Sequence, residues 1–316
     1  MFHDNELDAS EVQKFHNAYN KMADVIQESL TSYLWMYDEI QTDFYKDGHD
    51  IHSIVLMLLL DFSEAIDGVV VLVRAGSAKN CNSLMRTAFE IQLQLRFLLE
   101  ERNKYEQRCL AYEYFNHRYF LKIAEKCDPD SQQGKQLRKE TMGHFCEGIF
   151  DLKDRDAKHD TKVYKDKMDS QRYATIKQEI SDMKQKSKST KSKTTIDNWF
   201  SLWNGPRSVK ELAYHLKWGP LYEIYYRKWS STSHGASALR RILGASQDRI
   251  DLNPIRSPVG LPAVSVDASR QVHLLIEFLL TTLVPRCREH VMNRYANIVK
   301  PGIAFIEKIE GLSEVT

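Results

Sequence analysis

The sequence predicts an all-α protein: a multi-helix bundle forming one large domain with a lysine-rich insertion. Three observations carry that expectation. Prolines (8) and glycines (13) are few among 316 residues, so long intervals run without a helix breaker. Inside those intervals apolar residues recur at three- and four-residue spacing instead of alternating. No strand pattern stands out, and no repeat of about 20–50 residues suggests a solenoid.

The first helix is expected from about Glu6 to Tyr45, with Phe15, Tyr19, Met22, Ile26, Leu30, Leu34 and Tyr37 along one stripe and Gly48 as its stop. The second, Ile51 to Arg74, is apolar on more than one face (Ile54, Leu58, Phe62, Ile66, Val70), as a central helix is. A third spans about Ala78 to Glu101 and a fourth Lys104 to Cys127. Asp128-Pro129-Asp130 then stops the chain and restarts it into a fifth, about Ser131 to Leu152.

Residues 153–195 change character. Lys184, Lys186, Lys188, Lys191 and Lys193 follow one another with no acid among them, which predicts mobility near 184–195. Order returns at Trp199. Ser208-Val209-Lys210-Glu211 resembles a capping box that opens a helix to about Lys217, and Gly219-Pro220 starts the next. Pro254, Pro258 and Pro262 mark a loop over about 250–266. A strongly apolar last helix follows, containing Val272, Leu275, Ile276, Leu279 and Leu280, and it is expected to end near Pro301-Gly302. Composition thus divides the chain into an N-terminal helical extension (1–50), core helices (51–152), a charged and partly mobile insertion (153–198), and C-terminal core helices completing the bundle (199–316).

The totals are those of an ordinary globular protein, 42% hydrophobic and 28% charged. A formal charge of +1 supplies no global field toward nucleic acid or anionic membrane, so any such attraction needs a local patch. Five cysteines without C-x2-C spacing read as reduced thiols, neither a disulfide framework nor a zinc knuckle. The first residues lack the order of a signal peptide. The longest apolar run, Ile54 to Leu60, is too short to cross a bilayer. A cytoplasmic protein with no membrane partner is expected. No phosphate loop, dinucleotide fingerprint, nucleophile elbow or zinc-protease motif is present, and Asp61, Glu64 and Asp67 do not reproduce a di-iron pattern. Neither a cofactor nor a metal is expected.

The densest chemistry lies in Tyr222 to Gly235, with Tyr225, Tyr226, Arg227, Trp229, Ser230 and His234 in succession. Such side chains are costly to bury unless partners meet them. Arg227 and His234 form Arg-x6-His. An imidazole moves protons near neutral pH and a guanidinium grips phosphate, so the pair could activate a ribose 2′-hydroxyl without metal. A second match, Arg138-x5-His144, shows how easily the spacing arises. On the third helix Arg86 and Glu90 share a face among Leu84, Met85, Phe89 and Ile91, which predicts a part-buried pair with further partners. Trp199, Trp203 and Trp218, with Tyr214, Tyr222, Tyr225 and Tyr226, form an aromatic approach to His234: packing, or a stacking surface for a base.

Two blocks together carry a resemblance. Val73-Arg74-Ala75-Gly76 with Leu84-Met85-Arg86-Thr87-Ala88-Phe89-Glu90 is one. Trp203-Asn204-Gly205, Ser208 to Ala213, and Tyr222, Tyr226, Ser230 and His234-Gly235 make the other. Over most of residues 50–290 the chain resembles a widespread bacterial helical domain family of unknown function. That resemblance implies an all-helical fold in which Arg74, Arg86, Glu90, Tyr226, Ser230 and His234 form one constellation. The chain is more loosely similar to HEPN-type (higher-eukaryote and prokaryote nucleotide-binding) ribonucleases, whose Arg-x4–6-His motifs meet across a dimer interface; directly after the arginine this chain has Lys228.

The leading expectation is a metal-independent endoribonuclease of a bacterial defence or toxin system. In it His234 is the general acid/base and Arg227 or Arg86, supported by Glu90, clamps phosphate. Tyr226, Ser230, Arg74, Lys186 and Lys188 contact substrate. RNA, a second copy of the chain and a partner protein of a defence or toxin–antitoxin operon are the expected partners. The alternatives are a non-catalytic helical ligand-binding or regulatory module, and a nucleic-acid-binding accessory subunit.

Overall fold

A computed structural model describes residues 9–143, 154–189, 196–233, 242–245, 250–252 and 260–313. Among the described residues the protein is all-α apart from one pair of short strands. Its helices are α1 (Ala9–Asp47), α2 (His52–Arg74), α3 (Ala78–Leu99), α4 (Tyr105–Cys127), α5 (Gln132–Thr141), α6 (Asp154–Asp169), α7 (Ala174–Ser189), α8 (Val209–His215), α9 (Gly219–Leu221), α10 (Arg227–Ser233), α11 (Leu261–Thr282), α12 (Arg288–Arg294) and α13 (Lys300–Ser313). The chain forms two compact units. One takes residues up to Leu99 and from Ala213 onward; the other is Glu100–Leu212.

In the first unit α1 buries Met22 and then Ala23, Ile26, Leu30, Tyr33, Met36 and Ile40, these last six at steps of three or four residues, against α2 and α11. Each large aliphatic side chain so buried contributes about 1.5–3 kcal/mol. Tyr33 is fully buried and donates its hydroxyl to the Leu59 carbonyl at 2.6 Å. α1 is therefore part of this core and not the separate extension that composition suggested. α2 buries Ile54, Leu58, Phe62, Ile66 and Val70, but Met57, Leu60 and Val71 stand exposed on its other side, so it is not enclosed on every apolar face as a central helix would be.

At the end of α2 the chain turns through Gly76, whose φ of +71° suits glycine. There Gly76 donates to the Val73 carbonyl and Ser77 to the Leu72 carbonyl. α3 packs on α2, α10 and α11. Residues 219–233 form one continuous helix, in which a widened π-type turn, Tyr222–Tyr226, joins α9 to α10. Pro220 sits in its first turn, where a missing N–H does no harm.

Pro301 does not end the final helix. A second widened turn, Tyr295–Val299, precedes it, so the proline falls at the opening of α13 and helix continues to Ser313. Gly302 is needed there, because a Cβ would lie 2.6 Å from a Val25 methyl on α1. Ile242–Ala245 and Ile250–Leu252 pair antiparallel, a hairpin the sequence did not reveal. Strands of 4 and 3 residues are too short for alternation to register.

The second unit is built on α4, against which α5, α6 and α7 pack. Its core includes Cys109, Phe115, Tyr173, Ile176, Trp199, Phe200 and Leu202. The unit starts and ends outside the expected 153–198 insertion, because α4 carries the surface on which α6 and α7 pack. Trp203 and Asn204 both adopt positive φ (+53° and +59°), and a Cβ on Gly205 would come within 2.0 Å of the Phe200 carbonyl oxygen. The Trp-Asn-Gly block is thus a turn whose backbone admits little else. Ser208 caps α8 by accepting the Glu211 N–H at 3.1 Å, and Glu211 returns to the Arg207 N–H at 2.8 Å. Lys184 and Lys186 stand exposed on helical α7. The rest of the expected mobile stretch, 190–195, lies outside the described residues. The fifth helix, expected to run to about Leu152, ends at Thr141, where Met142 leaves helical geometry and Gly143 takes a φ of +80°.

Candidate functional site

Arg86, Glu90 and Tyr226 meet in the first unit. The Arg86 Nε donates to Glu90 Oε1 at 2.9 Å and approaches the Tyr226 oxygen at 3.1 Å. The Tyr226 hydroxyl donates to the same Glu90 oxygen at 2.7 Å. The guanidinium also lies 5.2 Å from the centre of the Tyr226 ring, which stacks on Tyr222 at 4.7 Å. The i,i+4 spacing sets Arg86 beside Glu90, and the widened turn brings Tyr226 down onto them.

Two groups respond to this closeness. Burial works against the Arg86 cation, yet the hydrogen bond and charge of Glu90 outweigh it and hold its pKa above the ordinary guanidinium range. Burial first, and then the hydrogen bond and charge of Glu90, push the Tyr226 hydroxyl well above its ordinary 10.0. Tyr226 therefore stays a neutral donor at physiological pH. Donors and acceptors close on one another, so the three act as a clasp between α3 and the helix of residues 219–233.

Beside the clasp lies a recess of about 80 Å³. Phe89, Trp218, Tyr225 and Trp229 supply its aromatic walls, and Leu221, Leu274, Asp267, Arg270 and Gln271 complete it. Phe89 touches both features, its ring centre 5.8 Å from that of Tyr226 and 5.6 Å from that of Trp218. Behind the walls Arg96 lies against Trp218 (4.1 Å) and Phe278 (4.5 Å) and donates to the Leu274 carbonyl at 2.5 Å. Burial lowers its pKa to about 10. Gln92 donates to the backbone and side-chain oxygens of Gln271, each at 3.0 Å, and Gln271 donates to the Met85 carbonyl at 3.0 Å.

The implied constellation forms only in part. Arg74 turns to Asp24 on α1 at 3.1 Å, so its place in the Arg-Ala-Gly block is the end of a helix tied to its neighbour. Arg227 is exposed and pairs with Glu223 at 2.9 Å. Ser230 is half-buried on α10. His234 lies outside the described residues. Lys186 is on α7 in the second unit, where Lys188 also lies, its side chain outside what is described. Of the aromatic approach, Trp199 and Trp203 belong to the second unit, while Trp218, Tyr222, Tyr225 and Tyr226 gather around α3.

Sequence reasoning missed Asp267, Gln271 and Arg96. Nothing local marked them, since α3 and α11 carry other polar residues at similar spacing. Among the described residues no group of three or more His, Cys, Asp or Glu is placed to hold a metal ion, and no helix is long and apolar enough to cross a membrane.

Residues 52–250 match the family of unknown function DUF5677, and the chain belongs to it. No curated protein and no solved structure matches the chain.

Proposed function

We propose that this chain is a non-catalytic ligand-binding module whose site is the aromatic recess, kept in shape by the Arg86–Glu90–Tyr226 clasp. The observation that carries this reading is the closure of the clasp: Tyr226 gives its proton to Glu90, and Arg86 spends its Nε on the same carboxylate. Groups so committed position helices, whereas an acid/base pair for RNA cleavage needs a group that titrates near neutral pH. Tyr226 is pushed away from that range. The recess provides what small-ligand sites share, apolar and aromatic walls with a few polar groups, although it is smaller than the roughly 300 Å³ of a drug-sized pocket. A single ring suits it better than a whole nucleotide. The free thiols among the described cysteines accord with a cytoplasmic setting.

The ribonuclease alternative rests on Arg227 and His234, and Arg227 is engaged with Glu223 on an exposed face. One pair of measurements tests the choice. Total RNA incubated with the protein and a chelator should stay intact, and single-ring probes such as uracil or toluene at millimolar concentration should raise Tm by about 2 °C or more. RNA cleavage by the parent that disappears in His234→Ala would overturn the reading.

A further inference from the structure

A formal charge of +1 leaves any attraction to a polyanion to a local patch, and the second unit carries a candidate on α4. Tyr119 (60% exposed), Phe120 and Ile123 all stand in solvent there. Ile123 comes four residues after Tyr119 and three after Phe120, so the three share one face. Single apolar side chains on a surface are ordinary, whereas a contiguous group of them marks a place of contact. The rings continue past α4. Phe120 stacks on Tyr164 of α6 at 5.7 Å with the planes 17° apart, and Tyr119 meets Phe120 edge-on at 5.5 Å. His117 lies 6.0 Å from Tyr164 and 6.2 Å from Tyr173, which in turn meets Tyr114 at 5.5 Å. Tyr173 is buried and anchors this ladder of rings; Tyr119 and Phe120 are its open end.

Cations border the open end. Lys122 and Lys126 occupy exposed positions on α4, and the exposed Lys167 of α6 lies 5.6 Å from the centre of the Tyr164 ring. None of these three lysines has a carboxylate partner among the described residues. The α4 carboxylates nearby in sequence are taken: Glu125 pairs with Lys165 at 3.2 Å and Glu113 with Arg172 at 3.1 Å. A second copy of the chain laid on the same face would set these lysines against their own counterparts. Open rings beside unpaired cations match instead a flexible polyanion that carries a ring on every repeat.

We infer that this face of α4 and α6 binds single-stranded nucleic acid without regard to sequence. Bases stack on Tyr119 and Phe120, and Lys122, Lys126 and Lys167 take the phosphates. Every base has a flat face, so stacking selects a single strand and not a particular order of bases. A duplex hides those faces and offers its phosphates alone. The surface lies wholly within the second unit and does not depend on the aromatic recess.

The test is fluorescence anisotropy of labelled oligo(dT) and oligo(U), each about 15 nucleotides long, titrated with the full chain over a range of salt concentrations. At least one strand should bind saturably, and about tenfold or more tighter than a duplex of equal length or polyglutamate. Tyr119→Ala and Phe120→Ala should each weaken it about fivefold or more, the loss of one stacked base. Lys122→Gln combined with Lys126→Gln should flatten the slope of log affinity against log salt by about 1.4. Tyr119 is the more exposed ring, so Tyr119→Ala carries the test alone if Phe120→Ala folds poorly. Equal binding of duplex or polyglutamate, tighter binding of phosphatidylserine vesicles, parent-like affinity in Tyr119→Ala, or failure of both strands to bind overturns the inference. None of these outcomes touches the reading of the recess.

Discussion

Tyr226 shows how one side chain can be committed to structure. Its hydroxyl donates to Glu90 and lies within reach of Arg86, and its ring carries both the cation and the Tyr222 stack. Removing the oxygen in Tyr226→Phe should cost about 1–2 kcal/mol, one hydrogen bond to a charged acceptor, while Arg86 and Glu90 remain paired. The pH dependence has a definite sign. The folded-state pKa of Tyr226 is raised, so its contribution is full below the unfolded value of about 10 and is lost as pH rises beyond it toward the folded value. Urea midpoints compared at about pH 8 and pH 11 should fall further in the parent than in Tyr226→Phe. Tyr33, also raised by burial, adds the same loss to both. Parallel falls would show that Tyr226 contributes nothing to the alkaline transition. The Arg86–Glu90 pair was legible from its spacing among apolar neighbours. Its third member joins them in the sequence only through the family pattern, since a tyrosine 136 residues away gives no local signal.

At the scale of elements, α3 and α11 are held by amides as well as by packing. Gln92 and Gln271 are both nearly inaccessible, and their side chains bridge the two helices and the Met85 carbonyl. Gln92→Leu or Gln271→Leu alone should each cost about 1–3 kcal/mol, because each strands buried polar atoms of the other. The double variant should cost less than the sum by about 1 kcal/mol, measured as a cycle of urea unfolding free energies. Strict additivity would mean that the amides do not act together. Helix positions were largely readable from three- and four-residue spacing, and the Ser208 cap from its box. The exceptions share a cause. Pro301 reads as a stop, yet the π-type turn before it lets the helix run on, and a change of turn width leaves no periodic trace over five residues. The hairpin failed to register because its strands are shorter than the alternation that would reveal them.

Across the whole molecule, the sequence announced helices more clearly than it announced which of them share a core. Composition drew a boundary where lysines become dense, but the second unit begins at Glu100, because α4 supplies the apolar side on which α6 and α7 pack. Burial partners, not charge density, define a unit, and they are set by contacts that a linear reading does not contain. The same reason hid the recess. Phe89, Trp229 and Asp267 come from three separate segments, and only the packing of α3, α10 and α11 brings them together. The residues of the two blocks mix roles accordingly: Gly76 and Gly205 serve turns, Arg74 ties to α1, and Arg86, Glu90 and Tyr226 join α3 to the helix of residues 219–233. The most direct test of this account is a binding titration of single-ring probes, read by tryptophan fluorescence, in the parent and in Leu274→Trp, which fills the recess. The account predicts one saturable site per chain in the parent and none in the filled variant; saturation that persists unchanged in Leu274→Trp would contradict it.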